Sequence, residues 1–285
     1  AIIATEDLNE NDVLIGPLYS EEVVYIAEKV ETPVVFPVYS KKQNNFNSKL
    51  IVKTAPNKRL FRKTLLNYLD ESVTDGNIII VGDGKAESDF NAKQITNALS
   101  KKDSIDTIIK IIPENGYIKK EKFTEVLKPN MKNIVVLTTD DNVIVASAIN
   151  SLISLPEEVT ASVFTFDKIS AFNKIDNSKL AQLNFTYVSN EYARDDSFRS
   201  SMFHKAYLKK NHVLPSYYAT RGFDVTYDVL MRLASGNSLK STFDEGYSYR
   251  IENKFDYTDK LFKTPENKGL YIVKYNEDLT LTRIK

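Results

Sequence analysis

The chain has 285 residues, 42% of them hydrophobic and 27% charged, with 38 basic side chains, 38 acidic ones and no cysteine. This balance supports one large domain or two lobes with a real core, and it excludes disulfides, thiolate metal sites and a cysteine nucleophile. A formal net charge of zero also lacks the basic excess with which duplex-binding proteins neutralise phosphates.

Taken in chain order, short apolar runs alternate with amphipathic stretches. Asp12 to Gly16 reads as a buried strand, and Glu21 to Val30 as a helix with Val23, Ile26, Ala27 and Val30 on one face. Pro33 to Pro37 is a second strand and Leu60 to Leu69 a second helix, followed by a linker from Glu71 to Gly76. A new series then begins, with strands at Asn77 to Val81, Asp106 to Ile112, Asn133 to Leu137 and Val159 to Phe166. Helices at Glu87 to Ser100, Lys120 to Leu127 and Asn142 to Ile153 separate them. Near-continuous apolar strands alternating with helices predict a parallel sheet covered on both faces. Two helices follow, Phe198 to Lys210 and Tyr217 to Leu233. The aromatic tail reads as strands at Tyr247 to Phe255, Gly269 to Tyr275 and Leu279 to Ile284.

Catalytic machinery is scarce. His204 and His212 are the only histidines, too few for a His-rich metal site or a Ser-His-Asp triad. Gly82-Asp83-Gly84 follows a strand, but Glu87 stands where a dinucleotide loop needs Gly or Ala, so that fingerprint is rejected. No enzyme activity, cofactor or metal is expected. No apolar run approaches the roughly 20 residues that span a bilayer. No signal segment is present, and the abrupt start at Ala1 and Ile2 suggests one upstream.

Three ordered stretches carry a family resemblance. Asp12 to Ser20 (DVLIGPLYS), Thr32 to Ser40 (TPVVFPVYS) and Arg221 to Asp224 (RGFD) resemble motifs of the type I periplasmic binding proteins, the leucine/isoleucine/valine-receptor fold. The tail from Lys268 to Ile284 resembles the closing strands of envelope proteins that join this fold to LysM peptidoglycan-binding repeats. The resemblance implies an α/β fold of two Rossmann-like lobes that close about a hinge. Lobe one would comprise 1–72 and 196–250, and lobe two 73–195 and 251–285. The family's opening strand, helix and second strand have no counterpart here, so the first lobe is expected to lack its N-terminal strands. Its open sheet edge would then favour self-association.

The resemblance gives Ser20 and a hydroxyl near Ser40 to a ligand carboxylate; helix N-capping and a polar turn are the competing readings. Tyr39 lies beside Ser40 at the carboxyl end of a strand, where ligands of open parallel sheets bind. Asp83 and Thr139 end two strands of the second series, with turn chemistry as the alternative for Asp83 and an N-cap expected at Asp141. Asp167 is a candidate for the acidic side chain that family receptors set against a ligand ammonium. Tyr187 is a cleft-wall or hinge-packing residue, and Arg221 has the spacing to pair with Asp224. Two functions follow from the resemblance. One is a non-enzymatic envelope module associated with peptidoglycan or a cell-wall enzyme, periplasmic or attached to the outer membrane. The alternative is a solute receptor of an ABC-type transporter for an amino acid or related small molecule.

Overall fold

Runs of Val and Ile build one parallel sheet and one mostly parallel sheet in the computed structural model, which describes residues 5–193, 197–257 and 264–285. The first sheet has strands β1 (Leu14–Ile15), β2 (Val34–Phe36) and β3 (Ile51–Lys53), in the order β1-β2-β3. The second has seven strands in the order β12-β11-β8-β7-β6-β4-β5. Five of them are parallel: β4 (Gly76–Val81), β5 (Ile105–Ile111), β6 (Asn133–Leu137), β7 (Ala161–Thr165) and β8 (Thr186–Ser189). β11 (Tyr271–Tyr275) adds to β8 antiparallel, and β12 (Leu281–Arg283) adds to β11. A two-stranded hairpin, β9 (Ser248–Tyr249) with β10 (Lys254–Phe255), stands apart.

The chain divides into two compact units, 1–60 with 190–270 and 61–189 with 271–285. These boundaries differ from the 72/73 and 250/251 junctions read from the sequence. The reason is packing: Phe255 and Tyr257 join Val35, Val52, Val225, Val229, Leu239 and Phe243 in one core of the first unit. β2 alternates between two cores, because successive side chains point to opposite faces. Val35 enters the core just named, whereas Val34 and Phe36 meet Val23 and Ala27 from the helix that follows β1 and Val30 just beyond it. That helix, α1, spans Ser20–Ala27. Among the described residues, β1 pairs on one side only, with β2.

The helices of the second unit are α2 (Lys58–Ser72), which begins just before the unit boundary and leads into β4, and, between its strands, α3 (Ala86–Leu99), α4 (Lys120–Thr124), α5 (Asn142–Ile153) and α6 (Asn177–Gln182). The expected linker is shorter than read, since α2 continues to Ser72 and β4 starts at Gly76. Gly76 has φ +117°, and a Cβ there would stand 2.6 Å from the Lys132 carbonyl oxygen, so only glycine fits.

The first unit continues with α7 (Phe198–Asn211) and α8 (Tyr217–Ser235). The inward face of α8 is largely charged: Arg221, Asp224, Asp228 and Arg232 are all at most 5% exposed. Arg221 does not pair with Asp224 as its spacing suggested. Its guanidinium donates to the Pro37 carbonyl (2.8 Å), the Asn253 side-chain oxygen (2.6 Å) and the Thr54 hydroxyl (3.1 Å). Asp224 instead accepts the backbone N–H groups of Ile251, Glu252 and Asn253, together with the Asn253 amide. Asp228 holds Arg232 at 2.9 Å and Arg250 at 2.7 Å. Buried charges are tolerated only when paired in this way.

Candidate functional site

The second unit gathers buried polar groups where β4 and β6 end. Both strands run straight into loops, and the next helices, α3 and α5, each start five residues later. Asp83 lies in the first loop and Thr139 in the second. The Thr139 hydroxyl donates to one Asp83 carboxylate oxygen at 2.9 Å, and the Lys85 backbone N–H donates to the other at 2.9 Å. The Lys85 ammonium stands 3.5 Å from Asp83 and 3.7 Å from Asp141. Beneath them, the Ser88 and Thr138 hydroxyls are 2.9 Å apart, and the Asp83 N–H donates to Ser88. Gly82 is needed here, because a Cβ would stand 2.8 Å from the Ser88 hydroxyl oxygen.

The Asp83 side chain is only 4% exposed. Burial opposes its ionisation, but the Lys85 N–H, the Thr139 hydroxyl and the Lys85 ammonium outweigh it and hold the carboxyl below the usual carboxylate range. Asp141 caps α5 as expected, accepting the N–H groups of Val143 and Ile144. The sequence marks Asp83 and Thr139 as candidates, with turn chemistry as the alternative for Asp83, but does not single out Lys85 or Ser88.

In the first unit the candidate hydroxyls follow β1 and β2. Ser20 is the first helical residue of α1 rather than its N-cap, and its hydroxyl donates to the Glu21 carboxylate at 3.2 Å. Lys42 pairs with the same carboxylate and, as the main cause, lowers its pKa. Ser40 caps the single turn Lys41–Asn45, accepting the Lys42 N–H at 3.1 Å while the Gln43 side chain reaches back to its backbone. That capping box leaves the Ser40 hydroxyl proton able to donate. Tyr39 is 40% exposed, with the Lys58 ammonium 5.4 Å from its ring centre.

The structure places the other two candidates differently. Asp167 follows the carboxyl end of β7 and is partly buried. Tyr187, on β8, is 7% exposed and stacks on Phe185 at 5.5 Å, with Tyr275 at 6.2 Å and Lys168 beside its ring. It therefore serves core packing within its unit. His204 meets Ser200 within α7, and His212 ends that helix in a left-handed conformation. Among the described residues no group of three His, Cys, Asp or Glu side chains is placed to hold a metal ion. No helix among them is long and apolar enough to cross a membrane.

No family model matches the chain, and no curated protein sequence does. Solved structures do. An ABC transporter substrate-binding protein from Desulfitobacterium hafniense in complex with Leu aligns with a TM-score of 0.58 at 12% identity, over 97% of this chain and 82% of that one. A branched-chain amino acid ABC transporter periplasmic ligand-binding protein from Burkholderia xenovorans LB400 gives 0.62 at 11% identity, over 98% and 78%. A solute-binding protein from R. palustris in complex with benzoate gives 0.52 at 12%, over 96% and 77%. The fold is thus that of the type I periplasmic binding proteins. These likenesses do not show the LysM linkage or the tie to peptidoglycan expected from the tail.

Proposed function

We propose that this chain is the solute receptor of an ABC-type importer, working in the periplasm and binding a small carboxylate-bearing molecule of amino-acid type. The reading has no catalytic step. The observation that carries it is the gathering of polar side chains at the carboxyl ends of parallel strands in each unit, the edge where open α/β sheets bind ligands. In the first unit, Ser40 accepts the Lys42 N–H and keeps its own proton for a carboxylate, whereas Ser20 has to turn from Glu21 to join it. In the second, Asp83 and Thr139 form a fixed, desolvated polar pair, and Asp83 is held ionised. Receptors of the same fold bind leucine in one case and benzoate in another, so a carboxylate is the shared chemistry.

The test is a thermal-shift and calorimetry panel of the common amino acids and small aromatic carboxylates. At a hundredfold excess over its Kd, the true ligand adds about 2.7 kcal/mol of stability. S40A removes one hydrogen bond to it and weakens binding about fivefold. If no member stabilises the chain while it co-sediments with isolated peptidoglycan, the reading fails and the envelope-module alternative replaces it.

A further inference from the structure

The second unit has another opening, at the amino ends of β4, β6 and β7 and under the last turns of α2. It is a cavity of about 280 Å³. Strands inside a parallel sheet are normally covered on both faces. β7 lies between β6 and β8, yet on one face Ser162 and Phe164 remain partly exposed, while Ala161, Val163 and Thr165 on the other are buried. The helix layer leaves that strip uncovered, and the cavity sits on it.

Its lining carries no net charge. The Tyr68 ring from α2 meets Phe164 with centroids 6.3 Å apart, giving an aromatic wall. The charged residues lining the cavity, Asp75 and Lys132, pair with each other at 2.7 Å. Among the described residues the Ser162 hydroxyl, the Tyr68 hydroxyl and the Asn184 side-chain amide, all lining the cavity, make no hydrogen bond within the protein. An ionic ligand would have to compete with the Asp75–Lys132 pair. A plain aromatic ligand would satisfy the wall and leave three polar groups facing carbon. An uncharged, hydroxylated ring satisfies both, with its C–H face on the aromatic wall and its hydroxyls on Ser162, Tyr68 and Asn184. A volume at the small end of ligand sites, which run roughly from 300 Å³ upward, limits the occupant to a single ring.

We propose that this cavity binds an uncharged ring of monosaccharide type, independently of the receptor function. The intact chain, labelled with ¹⁵N, is titrated with D-glucose and with N-acetylglucosamine, and with leucine and benzoate as charged controls. The proposal expects saturable shifts from one of the sugars at the amides of Ile134, Ser162, Phe164 and Asn184, and none there from the controls. Tyr68→Phe and Ser162→Ala should each weaken that binding about fivefold while leaving the urea midpoint unchanged. Absence of shifts at β7 with both sugars, shifts centred instead on Asp83 and Thr139, or affinity unchanged in the Tyr68→Phe/Ser162→Ala double variant overturns it. A failure of this kind leaves the amino-acid panel untouched, since the two readings are measured at different residues.

Discussion

Three buried carboxylates, Asp83, Asp224 and Asp228, are each stabilised by a different partner set, and so respond differently to substitution. Asp228 faces two guanidiniums, and Asp228→Asn leaves Arg232 and Arg250 without a counter-charge. We expect a loss of about 3–5 kcal/mol in urea unfolding. Asp224→Ala strips the acceptor from three backbone N–H groups at once, and about 3 kcal/mol or more is expected to go, because each orphaned buried donor costs roughly 1–3 kcal/mol. Asp83 gives a pH signature instead. Its folded pKa is depressed, so its contribution is present above the ordinary carboxylate value and is lost as pH falls through the lower folded value. Unfolding measured across the acid range should show wild type losing stability more steeply with falling pH than Asp83→Asn. An equal slope in the two proteins would contradict the assigned hydrogen bonds. The N-cap at Asp141 was legible from sequence because a cap is a local contact. The Arg221–Asn253 bond spans 32 residues, and nothing in the spacing of Arg221 and Asp224 could reveal it.

At the scale of elements, the β6 strand and the α5 helix match their sequence reading to the residue, since strong apolar periodicity ends at clear caps. β3 went unread: it is three residues long and includes Lys53, which is buried beside the chain segment around Glu266. The stretch from Tyr247 to Phe255 was read as one strand, but it folds as the β9–β10 hairpin. The cause is Asp224, which draws the N–H groups of residues 251–253 into a turn. Gly76 marks where the strand series of the second unit begins. Gly76→Ala meets both a positive φ and the Lys132 carbonyl, and about 1–3 kcal/mol of stability should be lost, read from the denaturant midpoint.

On the scale of the molecule, alternation of strands and helices was enough to predict the α/β class, and the ordered motifs were enough to suggest the fold. The unit boundaries were not, because they depend on which core the aromatic tail enters. β11 supplies Ile272 and Val273, each at most 1% exposed, and covers the edge of β8. Deleting residues 271–285 therefore opens that edge and uncovers the core of the second unit. Circular dichroism of the truncated chain should show loss of the cooperative melt, together with aggregation. A sharp two-state melt would show that β11 and β12 are dispensable.

The interleaving of the units also sets an order on the ribosome. Residues 61–189 emerge as an unbroken run that carries five of the seven strands of one sheet. Val35 and Val52, by contrast, must wait for Val225, Phe243 and Tyr257, some two hundred residues later in synthesis, before their side of the first sheet is covered. During that interval β1, β2 and β3 present bare hydrophobic surface to the cell. A chaperone that holds the first sixty residues would shield that surface until the partners from the later segment arrive.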